Sequence, residues 1–157
     1  MTAEKMKKYP GMVVVKKETE VRLKKLREEI EELEGRMSRA QRKCEDNSKV
    51  VTLLEIKQER LRVTQSLLDK IERSTLEVEE ALDKIAPSLT PLEHVVILKL
   101  YIEGLRWNQL MDLLQTNPEY SRFCYERSTY MRAHRSALDK LMTLDDEEQS
   151  VSDTPWQ

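Results

Sequence analysis

The stretch "APSLTPLE", residues 86–93, decides how this chain is divided. Pro87 is expected to stop the long helix, because it lacks a backbone N–H and its ring clashes with the preceding turn. A few residues later the chain is set to begin a new helix. Thr90 offers an N-cap hydroxyl, Pro91 takes the first helical position with its φ already suited, and Glu93 can reach back to close a capping box. A helix stop followed at once by a helix start predicts separate helical regions on its two sides.

Upstream, apolar residues step Leu23, Leu26, Ile30, Leu33, Met37, Ala40, Cys44. Steps alternating three and four make an a/d heptad seam, here flanked by Glu, Lys and Arg. A second seam follows: Leu54, Leu61, Leu68, Ile71, Val78, Leu82, Ile85, interrupted by Lys57, Thr64 and Thr75. Between them lies "EDNSK", residues 45–49, where Asp46, Asn47 and Ser48 favour a turn because their short side chains bond nearby backbone. A short break between two long helices favours antiparallel packing. Residues 18–86 are therefore expected to form a long coiled-coil helical hairpin, with 1–17 a flexible N-terminus. The second arm is the longer. Its excess would pair with the N-terminal segment or with a second protomer. One flank of the hairpin can also serve a partner helix, and nothing in the sequence selects which. Gly35 costs the first arm about 1 kcal/mol against Ala and marks either a bend or a close crossing.

Downstream, "EHVVILKLYIEG" offers Val95, Ile97, Leu98 and Ile102 to a core, with Gly104 as a natural stop. "RWNQLMDLL", residues 106–114, follows with Leu110, Met111, Leu113 and Leu114 inward. After the polar break "QTNPEYSRF" comes "YERSTYMRAHRSALDKL", residues 125–141, whose inner face would be Tyr130, His134, Ala137, Leu138 and Leu141. Three helices in about 55 residues, the second short and the third basic, follow the plan of a helix-turn-helix unit, here 88–143. The remainder, 144–157, is acidic and polar and reads as a disordered tail. The fold class expected is all-α.

Composition narrows the function. The net charge is −2, so any basic footprint must be local. Aromatic residues are 5%, too few for a large globular core, while 36% of residues are charged. Cys44 and Cys124, with His94 and His134, do not have the spacing of a zinc site. Both cysteines are expected to be reduced and packed or half-packed. "MVVV", Met12 to Val15, is far shorter than a membrane span, and the N-terminus lacks the apolar core of a signal peptide, which points to the cytoplasm. There is no Gly-rich phosphate loop and no Ser, His and Asp constellation, so neither an enzyme nor a cofactor is expected.

From Leu89 to Met142 the chain resembles region 4 of bacterial sigma-70-type factors. It resembles more closely the sigma-region-4-like regulators of Gram-positive phages and prophages, the ArpU/RinA type. The matching pieces are "LTPLEHVVILKLYIEG", a first helix ending in Y-x-x-G; "LRWNQLMDLL", with its aromatic just after the glycine turn; and "RSTYMRAHRSALDKL", closing in R-x-H-x-x-A-L-x-x-L. They cover about a third of the chain. The break "QTNPEYSRFC" is longer than the family's turn, and Asn117-Pro118-Glu119 can itself cap a helix, so the third helix starts near Pro118 or near Arg127. The hairpin has no counterpart in sigma region 4.

The resemblance implies a sequence-specific DNA-binding transcriptional regulator of phage type. It would activate late genes with host RNA polymerase, in the bacterial cytoplasm. Arg127, Ser128, Thr129 and Arg132 would front the reading helix, with Arg135 nearer the DNA backbone. Arg106, Asn108 and Gln109 would donate to phosphate, and Trp107 would serve the core or brace the first helix of the motif on the DNA. Arginine suits this work because its planar fork matches phosphate and the O6/N7 edge of guanine. His134 falls on the inner face. The expected partners are double-stranded DNA, host RNA polymerase and a second copy joined through the coiled coil. Two rival readings remain: a small-terminase-like DNA-packaging protein, and a coiled-coil adaptor that binds polymerase without touching DNA.

Overall fold

A computed structural model of the chain describes the backbone of residues 2–152 and the side chains of residues 2–144. Among these residues every regular element is helical, and no strand is present. Helix α1 spans Ala3–Arg42, α2 Ser48–Ile85, α3 Pro91–Ile97, α4 Trp107–Thr116 and α5 Arg127–Ser152. Short 3-10 turns lie at Ala86–Ser88 and Pro118–Phe123, and α3 runs on as a π-helical stretch, Leu98–Ile102. No helix among the described residues is long and apolar enough to cross a membrane. The chain forms two compact units, Met12–Ser74 and a second made of Met1–Gly11 with Thr75–Gln157.

In the first unit α1 and α2 run antiparallel: Arg27 donates to Gln65 at 3.1 Å, and the later Glu29 pairs with the earlier Lys57 at 2.7 Å. Leu23, Leu26, Ile30 and Leu33 are buried along α1, and Leu54 and Leu68 along α2. Met37, Val50 and Leu61 are partly buried against Ile30, Leu33 and Leu54. Thr64 does not break the seam; it is buried within it. Thr19 is buried too, its hydroxyl donating to the Val15 carbonyl at 2.7 Å, so no polar group is stranded. Gly35 meets no atom within 4 Å of where a Cβ would stand, which rules out a close crossing there.

The connecting turn shows where the first seam ends. Asp46 accepts from the Ser48 N–H at 3.0 Å and starts α2. Cys44 takes φ +53 past the end of α1 and is exposed, and Cys124 is exposed in a loop. Both cysteines were expected to pack, and neither does, because each lies beyond a helix end where no apolar face continues.

In the second unit, the N-terminal residues expected to be flexible are helical from Ala3. Met6 and Tyr9, three apart, are buried, and the Tyr9 hydroxyl donates to Glu79 at 2.7 Å. Lys5 pairs with Glu77. The far end of α2, with Val78, Ala81 and Ile85 buried, thus finds its cover in this chain's own first turns. Pro10 then reaches Gly104. A Cβ on Gly104 would lie 3.1 Å from the Pro10 Cβ, and Gly104 has φ +73, so the predicted helix stop needs glycine for two reasons.

The three-helix part is closed around Val96, Leu110, Leu114, Tyr130 and Ala133. Ile97, Tyr101, Ala137 and Leu141 are also buried. Of the residues expected to face inward on the first helix, Ile97 is buried, Val95 packs partly buried against the core cluster, and Leu98 and Ile102 are half-buried; Val96 and Tyr101 are buried as well, Tyr101 within the π stretch. Thr90 caps α3, accepting from the Glu93 N–H at 3.3 Å. Glu93 is buried, and Lys140 of α5 donates to its carboxylate at 2.8 Å and to the Ser88 carbonyl at 2.7 Å. Lys140 therefore clamps α5 to the start of α3 rather than joining an outer basic face. The tail expected to be disordered from 144 is helical backbone through Ser152, while Trp156 lies outside the described residues.

Candidate nucleic-acid interface

Helix α5 has two faces. Tyr130, Ala133, Ala137 and Leu141, at helical spacing, seat it on α3 and α4. Ser128, Arg132 and Arg135 lie on the opposite side, and these three and Arg127 are exposed. Arg127, Ser128, Met131, Arg132 and Arg135 line one shallow groove of about 620 Å³. Among the described residues no carboxylate pairs with any of the three arginines. Met131 was not anticipated. It sits four residues from both Arg127 and Arg135, so helical spacing alone places it in the same row.

The approach to α5 is pinned from inside. The Tyr130 hydroxyl donates to the Phe123 carbonyl at 2.6 Å and accepts from the Tyr125 N–H at 2.9 Å. The Gln115 side chain donates to the Tyr125 carbonyl at 3.3 Å. Asn117 accepts from the Glu119 N–H at 3.0 Å and starts the 3-10 turn at Pro118, whereas α5 itself begins at Arg127. The third helix itself thus starts at Arg127, while Pro118 opens only a short 3-10 segment, Pro118–Phe123, kinked at Tyr120.

The remaining expected site residues divide. Arg106 and Asn108 are exposed at the start of α4, as is Gln109. The Gln109 side-chain Oε1 accepts from the Arg106 backbone N–H at 2.9 Å, so it also holds its own helix end. Arg106 has no acceptor to offer in return, so only half of a reciprocal cap forms. Thr129 is half-buried and off the α5 groove. Trp107 is half-buried against the core cluster, edge-on to His134 at 5.1 Å between ring centroids. His134 lies within 2.7 Å of the Tyr101 hydroxyl through Nε2 and stacks on that ring. Burial holds the His134 pKa below the ordinary histidine value, and the charge of Lys7 acts in the same direction.

No group of three or more His, Cys, Asp or Glu among the described residues is placed to hold a metal ion. No protein-family model matches the chain, no curated protein resembles it in sequence, and no solved structure resembles it in fold.

Proposed function

We propose that this chain is a DNA-binding transcriptional regulator. In this reading α1 and α2 form a coiled-coil hairpin, and α3, α4 and α5 form a helix-turn-helix unit of the sigma-region-4 kind. The observation that carries it is the row of three exposed arginines without carboxylate partners among the described residues, Arg127, Arg132 and Arg135, on a helix whose other face is seated through Tyr130, Ala133, Ala137 and Leu141. Desolvating a guanidinium already paired to a carboxylate would gain little. Unpaired ones are free to neutralise phosphate and release its counterions. The first turns of α5 would enter the major groove, Arg132 reading a guanine edge and Arg135 resting on phosphate, while Arg106 and Asn108 meet the backbone. Host RNA polymerase would be the second partner.

The test is duplex binding by gel shift at one fixed salt concentration, repeated across a salt series. Arg132→Ala should lose roughly 1–3 kcal/mol, on the target sequence only, if it reads a base. If it holds phosphate, the loss should be equal on every sequence, and the slope of log affinity on log salt should fall by about one. Full affinity in both Arg127→Ala and Arg132→Ala would mean that this face does not meet DNA, and would favour an adaptor that binds polymerase alone.

A further inference from the structure

The first unit carries a second stripe that its own packing does not use. Leu53, Ile56, Val63 and Leu67 of α2 are 44%, 44%, 54% and 43% exposed. With Arg60 between them they step three, four, three, four, the spacing of a helix-packing seam. Each lies one residue ahead of a position in the buried seam, so the stripe runs along one flank of α2. On that flank a groove of about 420 Å³ opens, with Leu26, Val63 and Thr64 in its wall and Arg22, Lys25, Lys57 and Arg60 among its lining. Its carboxylates already have partners: Glu29 bonds Lys57 at 2.7 Å, and Glu59 bonds Arg62 at 2.6 Å. Arg22, Lys25 and Arg60 have no ion pair among the described residues. The flank is thus an apolar ridge beside an excess of positive charge.

We infer that this flank is a docking surface for an acidic amphipathic helix of a partner protein, with apolar residues at heptad spacing and carboxylates beside them. The ridge would take the apolar face, and Arg22, Lys25 and Arg60 the carboxylates. Charge complementarity selects this occupant over a second copy. An antiparallel second copy centred on the stripe would set Arg60 against its own counterpart, with like charges meeting in the seam. Nucleic acid would satisfy the cations but gain nothing from four exposed aliphatic side chains. The inference stands apart from the DNA-binding proposal, since it uses none of the α5 arginines.

The test uses the full chain and a labelled synthetic peptide about three heptads long, with leucine at a and d and glutamate at e and g, read by fluorescence anisotropy. Saturable binding with a dissociation constant below about 1 mM is expected, weakening as salt rises. Arg60→Glu, and separately the pair Val63→Ser with Leu67→Ser, should each weaken it at least about tenfold; all three positions are exposed, and unchanged thermal unfolding checks the fold. Four results would each overturn the inference: no saturation, equal binding of a scrambled peptide or of one with lysine for glutamate, unaffected variants, or displacement of the peptide by duplex DNA. Self-association of the chain that Leu67→Ser abolishes would also overturn it, by making the occupant a second copy.

Discussion

The hydroxyl of Tyr130 satisfies two backbone groups of the turn that leads into α5, although the residue is fully buried. Tyr130→Phe keeps the ring and its packing but leaves the Tyr125 N–H and the Phe123 carbonyl to find new partners. The expected cost is about 1–3 kcal/mol in chemical denaturation; under the proposed function DNA binding should weaken too, because the front of α5 loses its anchor. His134 makes a different prediction. Its folded pKa is depressed by burial, so the unfolded chain binds its proton more readily. The contribution of a neutral His134 is complete above the unfolded value of about 6.5 and is lost as pH falls from there through the folded value. Unfolding midpoints should therefore fall on acidification in that window, and His134→Gln should flatten the dependence. A wild-type midpoint that rose as pH fell through the same window would show that a protonated, not a neutral, His134 is the favoured form.

Among the elements, the heptad seams were the most legible, because a period repeated over several turns cannot be produced by chance burial. The stops at Pro87 and Gly104 were legible for the same reason that they work: each breaks backbone geometry locally. Less legible was the phase of the first helix of the second unit. Tyr101 is buried within the π stretch Leu98–Ile102, and no period of 3.6 anticipates the residue that stretch inserts. Cys44 matched the seam's spacing but falls beyond its helix. The N-terminal segment has only Met6 and Tyr9 as inward residues, too few for a periodic signal, and its cover comes from residues more than sixty positions away. The basic row of α5 was readable as a pattern; Lys140 looked like part of it until its bonds to Glu93 and Ser88 placed it inside. The seam itself can be tested at Leu68, which is 6% exposed. Leu68→Asp puts a charge without a partner into an apolar contact and should cost roughly 3 kcal/mol or more. Thermal unfolding at the wild-type midpoint would remove Leu68 from the seam.

For the molecule as a whole, the proposed function raises the question of what a DNA reader of this size can do by itself. In sigma factors, on which the proposed function is patterned, opening the duplex is the work of a separate aromatic-rich domain. This chain has one Phe and two Trp. Trp107 and Phe123 pack against the core of the three-helix part, so neither is presented for insertion between bases. The first unit presents charged side chains and an aliphatic stripe, surfaces suited to a protein rather than to unstacked bases. We therefore predict that the chain does not start transcription with core polymerase alone. It would anchor beside a promoter through α5 and contact the host holoenzyme, with the apolar flank of α2 as a second point of attachment that raises the effective concentration of polymerase at the site. The measurement is transcription in vitro from a promoter the protein binds, with core polymerase alone and with the host sigma added. Stimulation only in the second reaction is expected, and Arg132→Ala should remove it. Robust initiation in the first reaction would mean that the two long helices contribute to melting the duplex, and that their exposed faces contact single-stranded DNA rather than a partner helix.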